Sequence, residues 1–182
     1  MFARTPRLTL RPPWREDAPA LGQAIAHPGV VTMLGRAPWP YTHEDARAFA
    51  GRDRPGDDPI FLILAHEGVG VRLVGGIGID RFERETPELG YWLTPSAWGR
   101  GYATEAGRAV VALARETLRL PRLASGHFVD NAASGRVLHK LGFRPTGRVE
   151  RRPCRARGTR VDCAIYSLDL AGESDGDMRI AA

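Results

Sequence analysis

Three strand-like segments follow one another in the middle of the chain with no helical segment between them. Residues 60–66 and 71–79 are apolar runs joined by a Gly-rich turn, which predicts a β-hairpin. Residues 88–93, ELGYWL, form a third run, in which Gly90 is predicted to mark a bulge or a close backbone approach. Chains that alternate strand and helix throughout form parallel, doubly wound sheets. These consecutive strands therefore exclude that fold and predict a largely antiparallel sheet.

The remaining segments surround this block with helices and further strands. Apolar residues at helical spacing predict helices over 15–26, 42–50, 104–118 and 131–142, with another helical turn at 30–34. Strand patterns cover 8–11, 121–129, 143–149 and 160–170. We predict one α/β (α+β) domain over residues 1–171, with a mixed, mostly antiparallel sheet of about seven strands and about four helices. The polar stretch 172–182 is predicted to be a disordered tail.

Composition narrows the functional classes. The 182 residues contain no apolar run long enough to cross a bilayer, and the N-terminus has no apolar signal core. We therefore predict a cytoplasmic protein without a membrane partner. Cys154 and Cys163 are spaced so that a disulfide is possible, but a reducing compartment disfavours it. With no CxxC motif, a metal site is not expected.

The net charge of +5 comes almost entirely from arginine, since Lys140 is the only lysine. The arginines are spread along the chain, and no helix-turn-helix, zinc-finger or ribonucleoprotein motif accompanies them. Direct nucleic-acid binding is therefore not predicted. An anionic small ligand remains open.

Residues 97–106, AWGRGYATEA, carry the strand into a helix through two glycines. Helix N-termini expose unpaired N–H groups with a partial positive charge, and glycine lets a ligand approach them closely. The side chain of Arg100 would add a positive charge. The Walker pattern is excluded because no lysine followed by Ser or Thr is present, and the dinucleotide fingerprint because the motif follows a hairpin. From these residues alone, an anion site and an ordinary glycine-rich loop both remain open.

A companion motif, NAASGRVLHKLGF, follows after a helix and a strand. Together with LTLRPPWREDAPAL, PWPYTHEDARAF, LVGGIGI, ELGYWLTPSAWGRGYATEA and VDCAIYSLDL, in this order, it resembles the Gcn5-related N-acetyltransferases, the GNAT superfamily. The similarity is greatest to the ribosomal-protein alanine acetyltransferases, the RimJ/RimL-like branch. The resemblance implies a GNAT fold in a monomer or homodimer. It also implies direct acetyl transfer from acetyl-CoA, without a metal, to a primary amine of a protein N-terminus or a small molecule.

The resemblance also implies which residues hold acetyl-CoA. Backbone N–H groups around the glycine turn would bind the pyrophosphate, and the preceding strand would lie along the pantetheine, with Trp92 or Leu93 donating to the acetyl carbonyl. Trp98 stands where the family usually has a polar residue, so that side-chain contact is in doubt. Lys140 or Arg136 would meet the 3′-phosphate. The implied cofactor-binding residues are Trp92, Leu93, Thr94, Arg100, Gly101, Tyr102, Ala103, Thr104, Asn131, Ser134 and Lys140.

For catalysis, the resemblance points to Glu88 as the base, acting directly or through water, with His127 and then Asp80 as alternatives. In much of the wider family, a tyrosine seven positions beyond the asparagine that corresponds to Asn131 acts as the general acid. This chain has Leu138 at that position. Ser134 is the implied acid instead.

The acceptor side is less specified. Trp39, Tyr41 and Phe82 are candidate liners of the acceptor pocket, although aromatic residues are more often part of a core. Because the tyrosine is missing, an acyl-CoA-binding sensor with little or no turnover is the alternative function. A ribosome-associated protein that uses its arginines is a third hypothesis.

Overall fold

The computed structural model describes residues 1–53, 59–68, 70–81 and 86–171, which form one mixed sheet with helices on both faces. The strands are β1 (Ala3–Arg4), β2 (Leu8–Arg11), β3 (Ile60–Glu67), β4 (Gly70–Asp80), β5 (Glu88–Leu93), β6 (Arg122–Phe128), β7 (Arg144–Cys154) and β8 (Thr159–Asp169). The helices are α1 (Ala18–Ile25), α2 (Pro28–Val31), α3 (His43–Ala50), α4 (Tyr102–Glu116) and α5 (Ala132–Lys140). The strand order is β1-β2-β3-β4-β5-β6-β8-β7.

The predicted fold class and the order of the predicted elements are confirmed. The described sheet has eight strands rather than about seven, because the two-residue β1 pairs with β2 and is too short for a sequence pattern. The predicted helical turn after α1 is α2. The predicted bulge at Gly90 is wrong: Gly90 pairs with Gly78 in regular register, and the irregularities lie between Ile63 and Leu64 and between Pro145 and Val149.

One parallel pairing interrupts the otherwise antiparallel sheet. β5 and β6 pair in parallel through Glu88 with Ala124 and Leu89 with Ser125, and no further pair joins them within the described residues. A parallel pair needs a crossover connection, and α4 provides it. Beyond Leu89 the edge of β5 that faces β6 is therefore open. We call this opening the β5–β6 gap.

The two faces of the sheet carry different helices. The odd-numbered residues of β5 pack into the main core with α4 and α5; they are Leu89, Tyr91 and Leu93. Trp92, of the opposite parity, packs with residues of α1 and α3. Because side chains alternate across a strand, β5 presents its odd positions to the α4/α5 face and its even positions to the α1/α3 face.

The register of β7 and β8 excludes the disulfide that the spacing of the cysteines allowed. Cys154 lies opposite Thr159, whereas Cys163 lies opposite Glu150. A shift of four residues along a strand corresponds to about 13 Å, well beyond the reach of a disulfide. Both cysteines are free and buried. None of the helices in the described ranges is long and apolar enough to cross a membrane.

Candidate functional site

The helix that follows β5 begins in a glycine turn made for close approach. α4 starts at Tyr102, two residues earlier than predicted, and Gly101 at its N-cap has φ +80. Gly99 has φ +72, and a Cβ built there would meet nothing within 4 Å. Both glycines are in the left-handed region that side chains disfavour. The backbone of this turn is therefore open to solvent and to a ligand.

The first N–H groups of α4 point out of the helix. The first helical bond runs from the Glu105 N–H to the Gly101 carbonyl at 3.0 Å, so the preceding N–H groups have no intrahelical acceptor. No side chain from the described residues caps this end. Free donors and the helix dipole together favour an anion. The N–H groups of Gly101, Tyr102, Ala103 and Thr104 lie at this end, and the pyrophosphate role that the resemblance implies for them and for Arg100 stays a prediction.

The segment before β2 is bound to this helix start. The Arg7 side chain donates to the Glu105 carboxylate at 2.7 Å and to the Arg100 carbonyl at 3.0 Å, and Thr5 donates to Glu105 at 2.6 Å. Burial raises the pKa of Glu105, but the hydrogen bonds from Thr5 and Arg7 outweigh it and lower the pKa. No sequence signal connects residues so far apart. Arg7 is therefore a site residue that the sequence analysis missed.

A cavity of about 920 Å³ lies beside the glycine turn. Gly101 and Thr104 line it from the helix start. Its cationic lining residues are Arg4, Arg7, Arg108 and Lys140. Arg136, the alternative to Lys140, is not among them. The cavity brings several positive charges to the open N–H groups and suits a ligand with more than one phosphate.

The Arg100 side chain does not extend freely toward this cavity. It forms an ion pair with Glu67, which also accepts hydrogen bonds from the Tyr102 hydroxyl at 2.9 Å and from Arg72 at 3.0 Å. The Arg100 side chain thus connects the turn to the β3–β4 hairpin. Its backbone remains part of the turn.

Trp98 makes its polar contact inside the protein. Its indole N–H donates to the Leu93 carbonyl at 2.8 Å, at the end of β5. The tryptophan therefore fixes the strand end to the glycine turn, whereas the family's polar residue was expected to contact the ligand. The Leu93 carbonyl is occupied by this bond.

The register of β5 separates the two candidate donors to an acyl oxygen. The Thr94 N–H donates to the Val74 carbonyl at 2.8 Å, and hydrogen-bonded pairs alternate along an antiparallel ladder. Since Trp92 lies opposite Gly76, its N–H also points toward β4. The N–H groups of Tyr91 and Leu93 point the other way, into the β5–β6 gap.

Leu93 is accordingly the better-placed donor, and the backbone N–H of Trp92 is directed away from the gap. The Thr94 backbone is also engaged, since its carbonyl accepts from Ala97 at 2.9 Å. The Trp92 indole lies over Gly76, where a Cβ would come within 2.7 Å of its nitrogen. This contact explains a glycine at position 76.

Two carboxylates lie next to each other on the α1/α3 face, and each is held by an arginine from another element. Glu88 lies 2.6 Å from Arg152 of β7, and Asp80, its cross-strand neighbour, pairs with Arg36. Arg152 also contacts Glu150 at 3.3 Å. Glu88 is thus a fixed, half-buried carboxylate at the start of the gap.

His127 lies on the other face of the sheet. Ser125, two positions earlier on β6, pairs with Leu89, so both Ser125 and His127 lie on the α4/α5 face. The His127 ring packs against Gly135 of α5 and against Tyr166. Its Nδ1 lies 2.8 Å from the Phe128 carbonyl. The structure therefore does not bring His127 and Glu88 together as alternatives at one position.

Ser134 is held in the first turn of α5 by two contacts. The Asn131 side chain accepts from the Ser134 N–H at 3.2 Å and caps the helix. The Tyr91 hydroxyl lies 2.7 Å from Ser134 Oγ and 3.0 Å from its carbonyl oxygen. Burial raises the pKa of Tyr91 to about 12, although the bond to Ser134 opposes the rise. Tyr91 reaches the site from β5, and the sequence analysis missed it.

The candidate acceptor aromatics are only partly gathered. Tyr41 and Trp92 pack together against α1, α3 and the segment after α2, and burial raises the pKa of Tyr41 to about 12. Trp39 is 45% exposed. Phe82 lies outside the described residues. Tyr41 is therefore the predicted liner best placed on the face that carries Glu88.

Known proteins are similar to this chain in sequence and in fold. The family described as "Acetyltransferase (GNAT) domain" matches residues 7–144. The uncharacterized N-acetyltransferase YoaA of Bacillus subtilis (strain 168) is 36% identical over 53% of this chain and 55% of its own length. The uncharacterized N-acetyltransferase p20 of Bacillus licheniformis is 28% identical over 90% of this chain and 93% of its own length.

Solved structures also share the fold, among them three acetyltransferases. A GNAT-family acetyltransferase from Bacillus anthracis superposes with a TM-score of 0.78 at 24% identity, covering 93% of this chain and 99% of that one. RimL, a ribosomal L7/L12 α-N-protein acetyltransferase, gives 0.76 at 19%, covering 95% and 100%. The Microcin C7 self-immunity acetyltransferase MccE gives 0.74 at 21%, covering 91% and 93%.

The family match spans most of the chain and includes the open helix start, the β5–β6 gap and the carboxylates beside it. One relative, which aligns over nine-tenths of the chain, is itself named an uncharacterized N-acetyltransferase. The protein is therefore an N-acetyltransferase of the GNAT family.

Proposed function

We propose that the protein transfers an acetyl group from acetyl-CoA directly to a primary amine. The observation that carries this proposal is the junction of two openings. The β5–β6 gap, with the Leu93 N–H directed into it, leads to the uncapped N-terminus of α4. A strand edge that pairs with an extended amide arm, followed by phosphate donors, fits the shape of this cosubstrate. MccE is described in complex with acetyl-CoA and AMP, and RimL with coenzyme A, which supports the same donor here.

Each end of the donor has a counterpart in the chain. The N–H groups at the α4 start bind the pyrophosphate, and the basic cavity with Arg7, Arg108 and Lys140 binds the 3′-phosphate end. Asn131 is committed to capping α5, so its side chain has limited freedom to contact the pantetheine. The edge of β5 supplies the main-chain contacts to that arm.

Three groups then serve the chemistry. Glu88 accepts a proton from the acceptor ammonium, directly or through water. The Leu93 N–H donates to the acetyl oxygen, where negative charge develops as the amine attacks. Ser134 donates a hydrogen bond to the sulfur as the C–S bond breaks. Glu88 and Ser134 lie on opposite faces of the sheet, so the amine and the leaving thiol approach the gap from different sides.

The acceptor is a primary amine of a protein N-terminus or of a small molecule. The RimJ/RimL-like branch is the one we favour, since its motifs occur in order along this chain and RimL shares the fold over 95% of it. Mass spectrometry of ribosomal proteins from a deletion strain would separate the two acceptor classes. Loss of N-terminal acetylation on one ribosomal protein would favour a protein N-terminus as the acceptor. Unchanged N-terminal acetylation of all of them would favour a small-molecule amine.

Calorimetry with acetyl-CoA tests the donor. We expect the wild-type protein to bind it, and Lys140→Gln to weaken binding about five- to tenfold through loss of one partly exposed phosphate contact. Arg136→Gln is the matched control, because Arg136 lies on the same helix but does not line the cavity. With 3′-dephospho-acetyl-CoA, Lys140→Gln should bind like the wild type. Absence of acetyl-CoA binding to the wild type would contradict the proposal.

An acyl-CoA sensor with little turnover is the second candidate. It is favoured by Leu138, which is fully buried in the core where the wider family has its tyrosine. Tight coenzyme A binding with no transfer to any amine of a broad panel would support the sensor.

A further inference from the structure

A tyrosine from β5 reaches the first turn of α5, one turn before Leu138, the position at which the wider family has its tyrosine. Tyr91 extends from β5 to the first turn of α5, and its hydroxyl contacts both Ser134 Oγ and the Ser134 carbonyl oxygen. The Tyr91 ring packs against the main core, and this packing holds the hydroxyl in position. The contact lies beside the β5–β6 gap, because Tyr91 lies on β5 beyond the last β5–β6 pair and Ser134 follows the end of β6. A phenol is thus present at the leaving-group side, although it comes from a different element.

The two hydroxyl groups have two hydrogen-bonding arrangements. In the first, Tyr91 donates to the Ser134 carbonyl oxygen at 3.0 Å, and Ser134 donates to the Tyr91 oxygen at 2.7 Å. In the second, Tyr91 donates to Ser134 Oγ, and the hydrogen of Ser134 turns toward a third atom. The first arrangement satisfies both groups without a ligand. The second releases a serine donor that is polarised by the tyrosine behind it.

We propose that Tyr91 positions the Ser134 hydroxyl and polarises it, so that the pair donates one strengthened hydrogen bond to the sulfur of the departing coenzyme A. This inference rests on the proposed function, because it requires acetyl-CoA as the donor. Ser134 is the residue that touches the sulfur, and Tyr91 acts through it. The negative charge that develops on sulfur selects the second arrangement.

The pair donates a hydrogen bond but does not give up a proton. A free thiol has a pKa of about 8.5, whereas burial raises the pKa of Tyr91 to about 12. A thiolate is therefore too weak a base to take the proton. As the C–N bond forms, the electron pair of the C–S bond stays on sulfur. The acceptor ammonium loses two protons, the first to Glu88 before attack and the second to water as the C–N bond forms, and the thiolate gains its proton from solvent after release.

The thiol pKa of bound coenzyme A tests this role without turnover. Thiolate absorbs in the ultraviolet, so a pH titration of the binary complex gives that pKa directly. We expect the wild type to lower the thiol pKa by about one unit, a tenfold change in the thiolate ratio at a given pH. In Tyr91→Phe the thiol pKa should rise most of the way back to its value in free coenzyme A. In Ser134→Ala it should rise all the way back, and the double variant should match Ser134→Ala. Tyr166→Phe is the control, because it removes a phenol that interacts electrostatically with Tyr91 on the same face and leaves the Tyr91–Ser134 contact in place.

Kinetics provides the second readout. Tyr91→Phe should lower kcat about tenfold and leave the KM for acetyl-CoA unchanged, in line with a lost hydrogen bond to a developing charge. With the acetyl selenoester of the same coenzyme, the loss should shrink, because a selenolate is a more stable leaving anion. A merely structural defect would slow both donors equally.

The two proposals fail in different ways. If coenzyme A does not bind at all, the proposed function is wrong. If it binds and its thiol pKa is the same in wild type and Tyr91→Phe, the role of Tyr91 is overturned. Equal kinetic losses with the thioester and the selenoester would overturn it as well.

Discussion

Gly101→Val should lower the affinity for acetyl-CoA by at least about 100-fold, because two charge-assisted hydrogen bonds at about 1.5–3 kcal/mol each depend on the geometry of this residue. Gly101 has φ +80 and precedes the open N–H groups of α4. A β-branched residue is strongly disfavoured there, so the backbone would rotate and turn the donors away from the pyrophosphate. Calorimetry with acetyl-CoA measures the loss.

The control for Gly101→Val is another left-handed glycine far from the helix start. Gly158, in the turn between β7 and β8, has φ +64, and a Cβ there would meet nothing within 4 Å. Gly101→Val and Gly158→Val should each lower the free energy of unfolding by about 1–2 kcal/mol. Gly158→Val should nevertheless keep the wild-type affinity for acetyl-CoA. If both variants keep wild-type affinity, the α4 start does not bind the pyrophosphate.

Glu88→Gln should lower kcat/KM for the amine by about 10²–10⁴ at neutral pH, the usual contribution of a general base. The affinity for acetyl-CoA should stay unchanged, because Glu88 lies on the α1/α3 face and the phosphate donors lie at α4. Asp80→Asn serves as a comparison, since Asp80 is the adjacent carboxylate on the same face. Its loss should be smaller if Glu88 is the base.

The ion pair between Glu88 and Arg152 complicates the interpretation of Glu88→Gln, and a double variant separates the two effects. Arg152 is 13% exposed, so Glu88→Gln leaves a largely buried guanidinium without this partner and should lower stability. The double variant Glu88→Gln with Arg152→Met removes both charges and should recover much of that stability. Activity that returns together with the stability would show that Glu88 only partners Arg152. Activity that stays low in a stable double variant would support Glu88 as the base.

Local patterns in the sequence predicted much of this fold. The run ELGYWL has the same bounds as β5, and Asn131 caps α5, because alternation and capping depend on neighbours a few residues apart. The two-residue β1 could not be found this way, since it exists only by pairing with β2.

The site was less predictable, because its side chains meet across the sequence. Arg7 reaches the start of α4, and Tyr91 reaches Ser134 in α5, through contacts that no spacing encodes. The choice between Trp92 and Leu93 depended on the register with β4, which the sequence leaves open. Motifs therefore indicated the candidate donor site, whereas the contacts between its residues could be seen only in the fold.

Transfer of isotopically labelled acetyl from acetyl-CoA to a panel of primary amines tests the central claim most directly. The panel should contain peptides with free N-termini as well as amino acids and polyamines, with mass spectrometry of products and measurement of released coenzyme A. We predict label on at least one primary amine, in one-to-one ratio with released coenzyme A. Bound coenzyme A with no label on any amine would contradict direct N-acetyl transfer and favour the sensor.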